Sequence, residues 1–370
     1  MPTEFVRFRS DQAMKAAVLV VMAVSLLVTS SSAQAQDEPL TLVGWGVASK
    51  DLDTFMAQAA DVGFDALITG SLDPQFLRQA VEAGARHSIK IFTHITPMGH
   101  VKSAWTAAYP EQPIPWQVLS EDEQAAASFI SAGRNIYLIP YQWGGEPIMT
   151  NEVLTTPAVC FSNLEARALL ERMIDTVASV PGLEGLGFDG FGYQNYHRCY
   201  CERCQRLFEE FMKARPELGE EEASVEFFRD MLVGYINHLA DYARSKRPDI
   251  KTTIHIWPVF APEPLYGNRL DVDYCGQTAA WYTLWPQEKI AKYSRIICED
   301  ARRYYDRQTG VGMIGYYDRP GEFPVKDAAQ VEMELSTMIE NGCRRIQVCS
   351  TIHVINNEEI AGVFRRHFAQ

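Results

Sequence analysis

Apolar and polar positions change their period again and again along this chain. Short runs rich in β-branched and aromatic residues alternate with stretches in which apolar residues recur every three or four positions. The runs are LTLVGWG (40–46), DALITG (65–70), IKIFTHI (89–95), EGLGFD (184–189), KTTIHIW (251–257), LDVDYCGQ (270–277), VGMIGYYD (311–318) and RIQVCST (345–351). Each reads as a strand. Helical periodicity covers 50–62, 73–87, 164–180, 202–246, 286–308, 324–341 and 357–369, with a break expected near Pro216. Gly63, Gly84 and Gly342 stand where a helix gives way to the next strand, the place where a left-handed residue is wanted. The Pro-rich segment 258–269 reads as a loop.

Eight βα repeats with no change of composition between halves predict one (β/α)8 TIM barrel. A doubly wound open sheet is the alternative. It would want a Gly-rich first turn, and VASKDLD (47–53) offers none. The connection 96–163 between strands three and four is long for a barrel. Its aromatic content (Trp105, Tyr109, Trp116, Tyr137, Tyr141, Trp143) predicts an inserted subdomain over the active face, with a hairpin near 136–142.

The first 35 residues change the picture of where the chain works. Arg7, Arg9 and Lys15 flank the apolar run 16–28, and Ala33-Gln34-Ala35 is a small-x-small cleavage pattern, so 1–35 reads as a signal peptide. The run is shorter than the roughly 20 residues of a membrane span; an uncleaved anchor is the alternative. This leaves 36–370 as the barrel domain, periplasmic or secreted. The chain carries a net −13, of which 1–35 contribute +1, so the remainder stands near −14. That acidity argues against nucleic acid and anionic membranes as partners and is compatible with neutral ligands such as sugars. No second apolar run of membrane length follows.

In a barrel, chemistry gathers at the C-terminal ends of the strands. Asp189 ends strand four, ahead of Gly190 and Gly192. Asp318 ends strand seven, with Glu322 four residues on. Two carboxylates across one mouth are what glycoside hydrolysis requires, one to protonate the leaving oxygen and one to attack or to activate water. The expectation is Asp189 as acid/base and Asp318 as nucleophile or base, or the reverse. Capping by Asp189 and an Asp318–Arg319 ion pair are the structural alternatives. Further strand ends carry groups that suit sugar faces and hydroxyls: Trp45, His94, His255, Trp257, Gln277, Trp281, Tyr316 and His353. His255-x-Trp257 stands where metal-dependent barrel hydrolases carry His-x-His, so no catalytic metal and no organic cofactor is expected.

Residues 185–204 read GLGFDGFGYQNYHRCYCERC. Cys199, Cys201 and Cys204 are too close together for three independent disulfides. With Cys160 as a fourth ligand they fit a tetrahedral structural zinc; two disulfides are the alternative in an oxidising compartment. Cys275, Cys298, Cys343 and Cys349 read as core residues or one bridge.

This stretch resembles the strand-four loop of secreted, largely uncharacterised glycoside-hydrolase-like barrels, which are distantly similar to the family-42 β-galactosidases. The local match covers roughly 156–210. In that family a Cys-x-Cys-x-x-Cys run and one earlier cysteine hold structural zinc, so the resemblance implies the same role for Cys160, Cys199, Cys201 and Cys204. It also implies a barrel acting on an oligo- or polysaccharide. The family carries Asn-Glu at strand four and Glu at strand seven, where this chain has Phe188-Asp189 and Tyr317-Asp318. A non-catalytic carbohydrate-binding barrel is therefore the rival expectation, and a hydrolase or lyase using His255 or His353 as base a third.

Overall fold

A computed structural model describes residues 39–48, 50–121, 123–124, 139–143, 146–150, 158–195, 197–256, 269–280, 284–301, 303–318 and 325–369. The signal-peptide expectation, Trp257, Trp281, Glu322 and the loop 258–268 lie outside them. The chain divides into residues 1–40 and a unit of residues 41–370.

The alternation of runs and helices builds the expected barrel. Its strands are β1 (Thr41–Trp45), β2 (Ala66–Thr69), β3 (Lys90–Ile95), β6 (Gly185–Asp189), β7 (Lys251–Ile256), β8 (Tyr274–Ala280), β9 (Thr309–Gly315) and β10 (Arg345–Cys349). They close in the order β1-β10-β9-β8-β7-β6-β3-β2. All pairings are parallel, including β1 with β10. That closure excludes the open sheet. The remaining strands, β4 (Ile139–Trp143) and β5 (Glu146–Thr150), form an antiparallel hairpin, later in the chain than 136–142.

The helices are α1 (Leu52–Val62), α2 (Pro74–Arg86), α3 (Gly99–Ala108), α4 (Leu164–Ala178), α5 (Glu202–Ala214), α6 (Glu220–Lys246), α7 (Gln287–Asp300), α8 (Ala328–Glu340), α9 (Thr351–Ile355) and α10 (Glu358–Phe368). Local chemistry sets their ends. The carboxyl of Asp73 accepts from the Gln75 N–H ahead of Pro74. Asn163, Asp327 and Asn357 cap α4, α8 and α10 in the same way. Gly63 takes φ 99° at the end of α1, as expected. Gly84 does not stop a helix. It lies inside α2, where a Cβ would stand 2.5 Å from the Ile89 carbonyl oxygen, so its smallness admits the close pass of the chain entering β3.

Strand residues alternate between two cores. Val43, Trp45, Ala66, Ile68, Phe92 and Met313 fill the barrel. Leu42, Leu67, Ile91, Leu186, Ile254 and Ile346 face the helices. Two strands are shifted from their expected places. LDVD (270–273) precedes β8 rather than opening it, and β9 ends at Gly315 rather than Asp318. Both shifts bear on the mouth.

Candidate active site

Strand β6 delivers Asp189 as its last residue, paired in register with His255 of β7. His94 lies opposite Gly187 on the other side of β6. These pairings bring three predicted residues together. His255 Nδ1 is 3.1 Å from Asp189 Oδ1, and His94 Nε2 is 3.9 Å from Asp189 Oδ2. An ionised carboxylate can only accept, so Nδ1 carries the proton of the shorter contact. The Trp45 ring lies 5.2 Å from that of His94 and 5.5 Å from that of His255. It forms an aromatic floor between the two imidazoles.

The floor is itself held. Trp45 Nε1 donates to Gln347 Oε1 at 3.0 Å, and Gln347 Nε2 donates to Thr253 Oγ1 at 3.1 Å. Gln347 therefore struts the barrel interior from β10 to β7, directly beneath His255. A sixth polar residue, His100 of α3, places its ring 6.1 Å from His94 and its Nε2 3.1 Å from the Gly70 carbonyl.

The Asp189 side chain keeps 30% of its surface exposed at the mouth. Burial alone would raise its pKa. The hydrogen bond from His255, the charges of His255 and His94, and the Gly190 N–H outweigh burial and hold the carboxyl below the usual range. Burial pushes the His94 imidazole down, although the Asp189 charge opposes it. His100 is lowered by burial as well. The arrangement is thus an anionic carboxylate between imidazoles over an indole face. It can act as base or nucleophile, and the imidazoles can bond hydroxyls.

The other predicted residues are placed differently. Asp318 is exposed, three residues beyond the end of β9, and its charge adds to the burial that raises the Tyr316 phenol. Tyr316 is not at the mouth: it is buried against the helix layer and its hydroxyl accepts from Asn357 Nδ2 at 2.9 Å. Gln277 is also kept from the mouth. A Cβ on Gly276 would meet Gln347 Oε1 and Met313 Sδ inside the barrel, so its neighbour Gln277 points outward, where it is buried. β8 also runs on to Ala280, three residues past the expected end, so Gln277 lies within the strand rather than at its rim. His353 stands on α9 rather than on a strand, its ring 4.3 Å from that of Tyr317. Sequence reasoning missed Gln347 and His100. The signals were a polar residue at an inward position of RIQVC, and a second histidine six residues after His94.

The four cysteines come together. Cys160 Sγ is 3.6 Å from Cys201 Sγ and 3.4 Å from Cys204 Sγ, and all four sulfurs lie within 4.8 Å of one another. No disulfide joins any of the eight cysteines, all of which lie among the described residues. A tetrahedron with metal–sulfur bonds of about 2.3 Å has edges of about 3.8 Å, so the cluster fits a four-thiolate metal site. Backbone N–H groups and a helix N-terminus face the sulfurs. The Val118 and Cys201 N–H groups point at Cys199 Sγ, at 3.3 and 3.5 Å. Cys201 caps the N-terminus of α5 and Cys204 lies in its first turn, at the positive end of the helix dipole. Hydrogen bonds among the four sulfurs, led for Cys160 by that with Cys199, draw Cys160 down to about 7 and lower Cys201, while they push Cys199 and Cys204 up.

The cluster joins three segments, among them the loop that follows Asp189. The Tyr200 N–H donates to the Val118 carbonyl and the Cys160 N–H to that of Pro115. Gln117, buried, donates to the Val159 and Gly192 carbonyls and accepts from the Gln194 N–H.

No protein-family model matches the sequence, and a search of curated proteins finds no match. Solved structures match in fold. The PgaB (BpsB) glycoside hydrolase domain from Bordetella bronchiseptica aligns with a TM-score of 0.54 at 9% identity, over 90% of this chain and 99% of that one. The β-galactosidase from the psychrophilic Marinomonas ef1 aligns with a TM-score of 0.57 at 11% identity, over 88% of this chain and 58% of that one. The β-galactosidase from Bacillus circulans sp. alkalophilus gives 0.54 at 12%, over 89% and 56%. This chain spans less than two thirds of either galactosidase. At these identities the likeness is one of architecture: a (β/α)8 barrel shared with glycoside hydrolases.

Proposed function

We propose that the chain is an exported glycoside hydrolase that cleaves an oligo- or polysaccharide, with Asp189 as its anionic carboxylate and Asp318 as the acid across the mouth. One observation carries this reading: the partly exposed Asp189 carboxyl stands at the C-terminal end of β6 beside Trp45, His94 and His255, and its pKa is held below the usual carboxylate range. An ionised carboxylate suits the nucleophile or base of a glycosidase and not the proton donor. This favours the exchanged assignment of the two aspartates. The shared architecture with glycoside hydrolases supports the class. The four-thiolate cluster is read as a closed structural zinc site, with no position left for substrate, that pins the loop following Asp189. No organic cofactor enters this reading.

A crystal structure of an oligosaccharide complex tests the pair. Carboxyl separations of about 5–5.5 Å would mark a retaining enzyme and about 6.5–9.5 Å an inverting one. A much larger gap would remove Asp318. Export is tested by the N-terminus of the mature protein, expected at Gln36.

The Asp189–His255 hydrogen bond favours a second reading, in which Asp189 orients His255 as the base for a different bond. His255→Gln then abolishes turnover, whereas the glycosidase reading requires only a shifted pH profile. A binding barrel without turnover would retain affinity for carbohydrate in Asp189→Asn.

A further inference from the structure

Outside the four-thiolate cluster the cysteines are of two kinds. Cys275 is buried on β8 and Cys349 packs against the barrel interior. The other two form a pair: Cys298, near the end of α7, has its Sγ 3.5 Å from Cys343 Sγ, two residues before β10. We propose that Cys298 and Cys343 are a disulfide-forming site, a covalent staple between α7 and the turn into β10.

The fold clears the space for it. Gly312 lies on the outer face of β9, where a Cβ would stand 2.8 Å from Cys343 Sγ. That missing side chain is the notch in which the sulfur sits. Gly342, at φ 101°, turns the chain beside Cys298, where a Cβ would lie 3.6 Å from Cys298 Cβ. Closing from 3.5 Å to the roughly 2.05 Å of a disulfide asks for about 1.5 Å of sulfur movement, within reach of two side-chain rotations. Cys343 is fully buried while Cys298 is partly exposed, so the oxidant meets Cys298 first.

The chemistry balances as thiol–disulfide exchange. The Cys298 thiolate attacks the disulfide of a donor, a glutathione disulfide or an oxidised dithiol protein, and one donor thiol leaves. The Cys343 thiolate then attacks the mixed disulfide at Cys298 Sγ and expels the second donor thiol. Two protons and two electrons pass from the pair to the donor. The hydrogen bond with Cys343, and burial, push the Cys298 thiol up, so the exchange accelerates as pH rises.

The site rests on the export reading only for where the oxidant is met, and the test avoids that dependence. The full-length protein is purified, equilibrated in glutathione buffers from fully reduced to fully oxidised, blocked with an alkylating agent and digested for peptide mass mapping. The expected result is a Cys298–Cys343 cross-linked peptide, two hydrogens lighter than the thiol pair. It should appear with oxidation, vanish on reduction, and raise the unfolding temperature. Cys298→Ser and Cys343→Ser should each lose both the cross-link and the rise. Recovery of both residues as alkylated thiols, or as separate glutathione adducts, in the oxidised buffer overturns the proposal. A pair that is reduced in cells yet cross-links in the buffer supports the site and counts against export.

Discussion

Lys326 and Glu334 form a buried ion pair that anchors the end of the connection beginning at Tyr316–Asp318. Lys326 Nζ lies 2.6 Å from Glu334 Oε2, with the side chains 2% and 0% exposed. Gln330 Nε2 donates to the other carboxylate oxygen at 2.8 Å. Desolvation lowers the Lys326 pKa and raises that of Glu334, although each partner opposes it. In both, the charged form loses more to burial than the pair returns. The raised Glu334 contributes stability below its unfolded value, about pH 4.5, and loses it as pH rises through the folded value. The lowered Lys326 contributes above about pH 10.5 and loses it as pH falls through the folded value. Each contribution is lost where its group is charged, so the charged pair fixes geometry at a cost to stability. Lys326→Met or Glu334→Leu alone leaves one buried charge without its partner and should cost roughly 3–5 kcal/mol. The double replacement should be neutral or stabilising by about 1–4 kcal/mol. The Lys326→Met penalty should shrink toward acid pH, where Glu334 can take up a proton. Urea unfolding of the four proteins, followed by circular dichroism across pH, measures all of this. Single costs below about 1 kcal/mol, or a double variant as unstable as the sum of the singles, would refute the reasoning.

Three other outcomes follow from the same geometry. The purified protein should carry about one zinc per chain by elemental analysis. A strong chelator should release it and make four thiols reactive, while a metal-free fold with two disulfides in the cluster would rule this out. Asp189 is held low, so its contribution to stability is present above about pH 4 and lost as pH falls through its folded value. His255→Phe removes the strongest lowering influence and should move the acid limb of the pH–rate profile upward; an unmoved limb contradicts the coupling. A methyl group on Gly185 would collide with the Lys251 carbonyl and the Phe92 ring, and the carbonyl cannot retreat without opening β6 from β7. Gly185→Ala should cost about 1–3 kcal/mol or more by thermal unfolding, and a neutral result would mean the barrel yields there.

The barrel was legible because its strands are short apolar runs set between helices of 3.6-residue period, and closure then follows from eight parallel repeats. The thiolate cluster was legible because its spacing is local. Side-chain direction at the mouth was harder, since it depends on where each strand starts. Leu270 and Val272 are buried and alternate like strand residues. Yet the aspartates that alternate with them belong to ion pairs at the opposite end of the barrel, Asp271 with Arg244 and Arg307, Asp273 with Lys251. Taking that segment as strand placed both ends of β8 too early, so Gln277 was expected at a rim that lies at Ala280. Tyr316 was misplaced because β9 ends at Gly315, three residues short of the expected Asp318, and its phenol lies against Asn357. Gln347 was invisible for a different reason. A glutamine within an apolar strand gains meaning only when Trp45 and Thr253, from elements far apart in sequence, arrive on either side of it.

The central claim is that Asp189 performs chemistry on a glycosidic bond. The most direct test is the release of reducing ends from a panel of oligo- and polysaccharides by the wild-type protein and Asp189→Asn, with folding checked by unfolding temperature. The account predicts turnover on at least one glycan and a loss of at least roughly 10²–10⁴-fold in the variant, with carbohydrate binding and a cooperative fold retained. Unchanged turnover in Asp189→Asn, or glycan binding by both proteins with no cleavage by either, would contradict it.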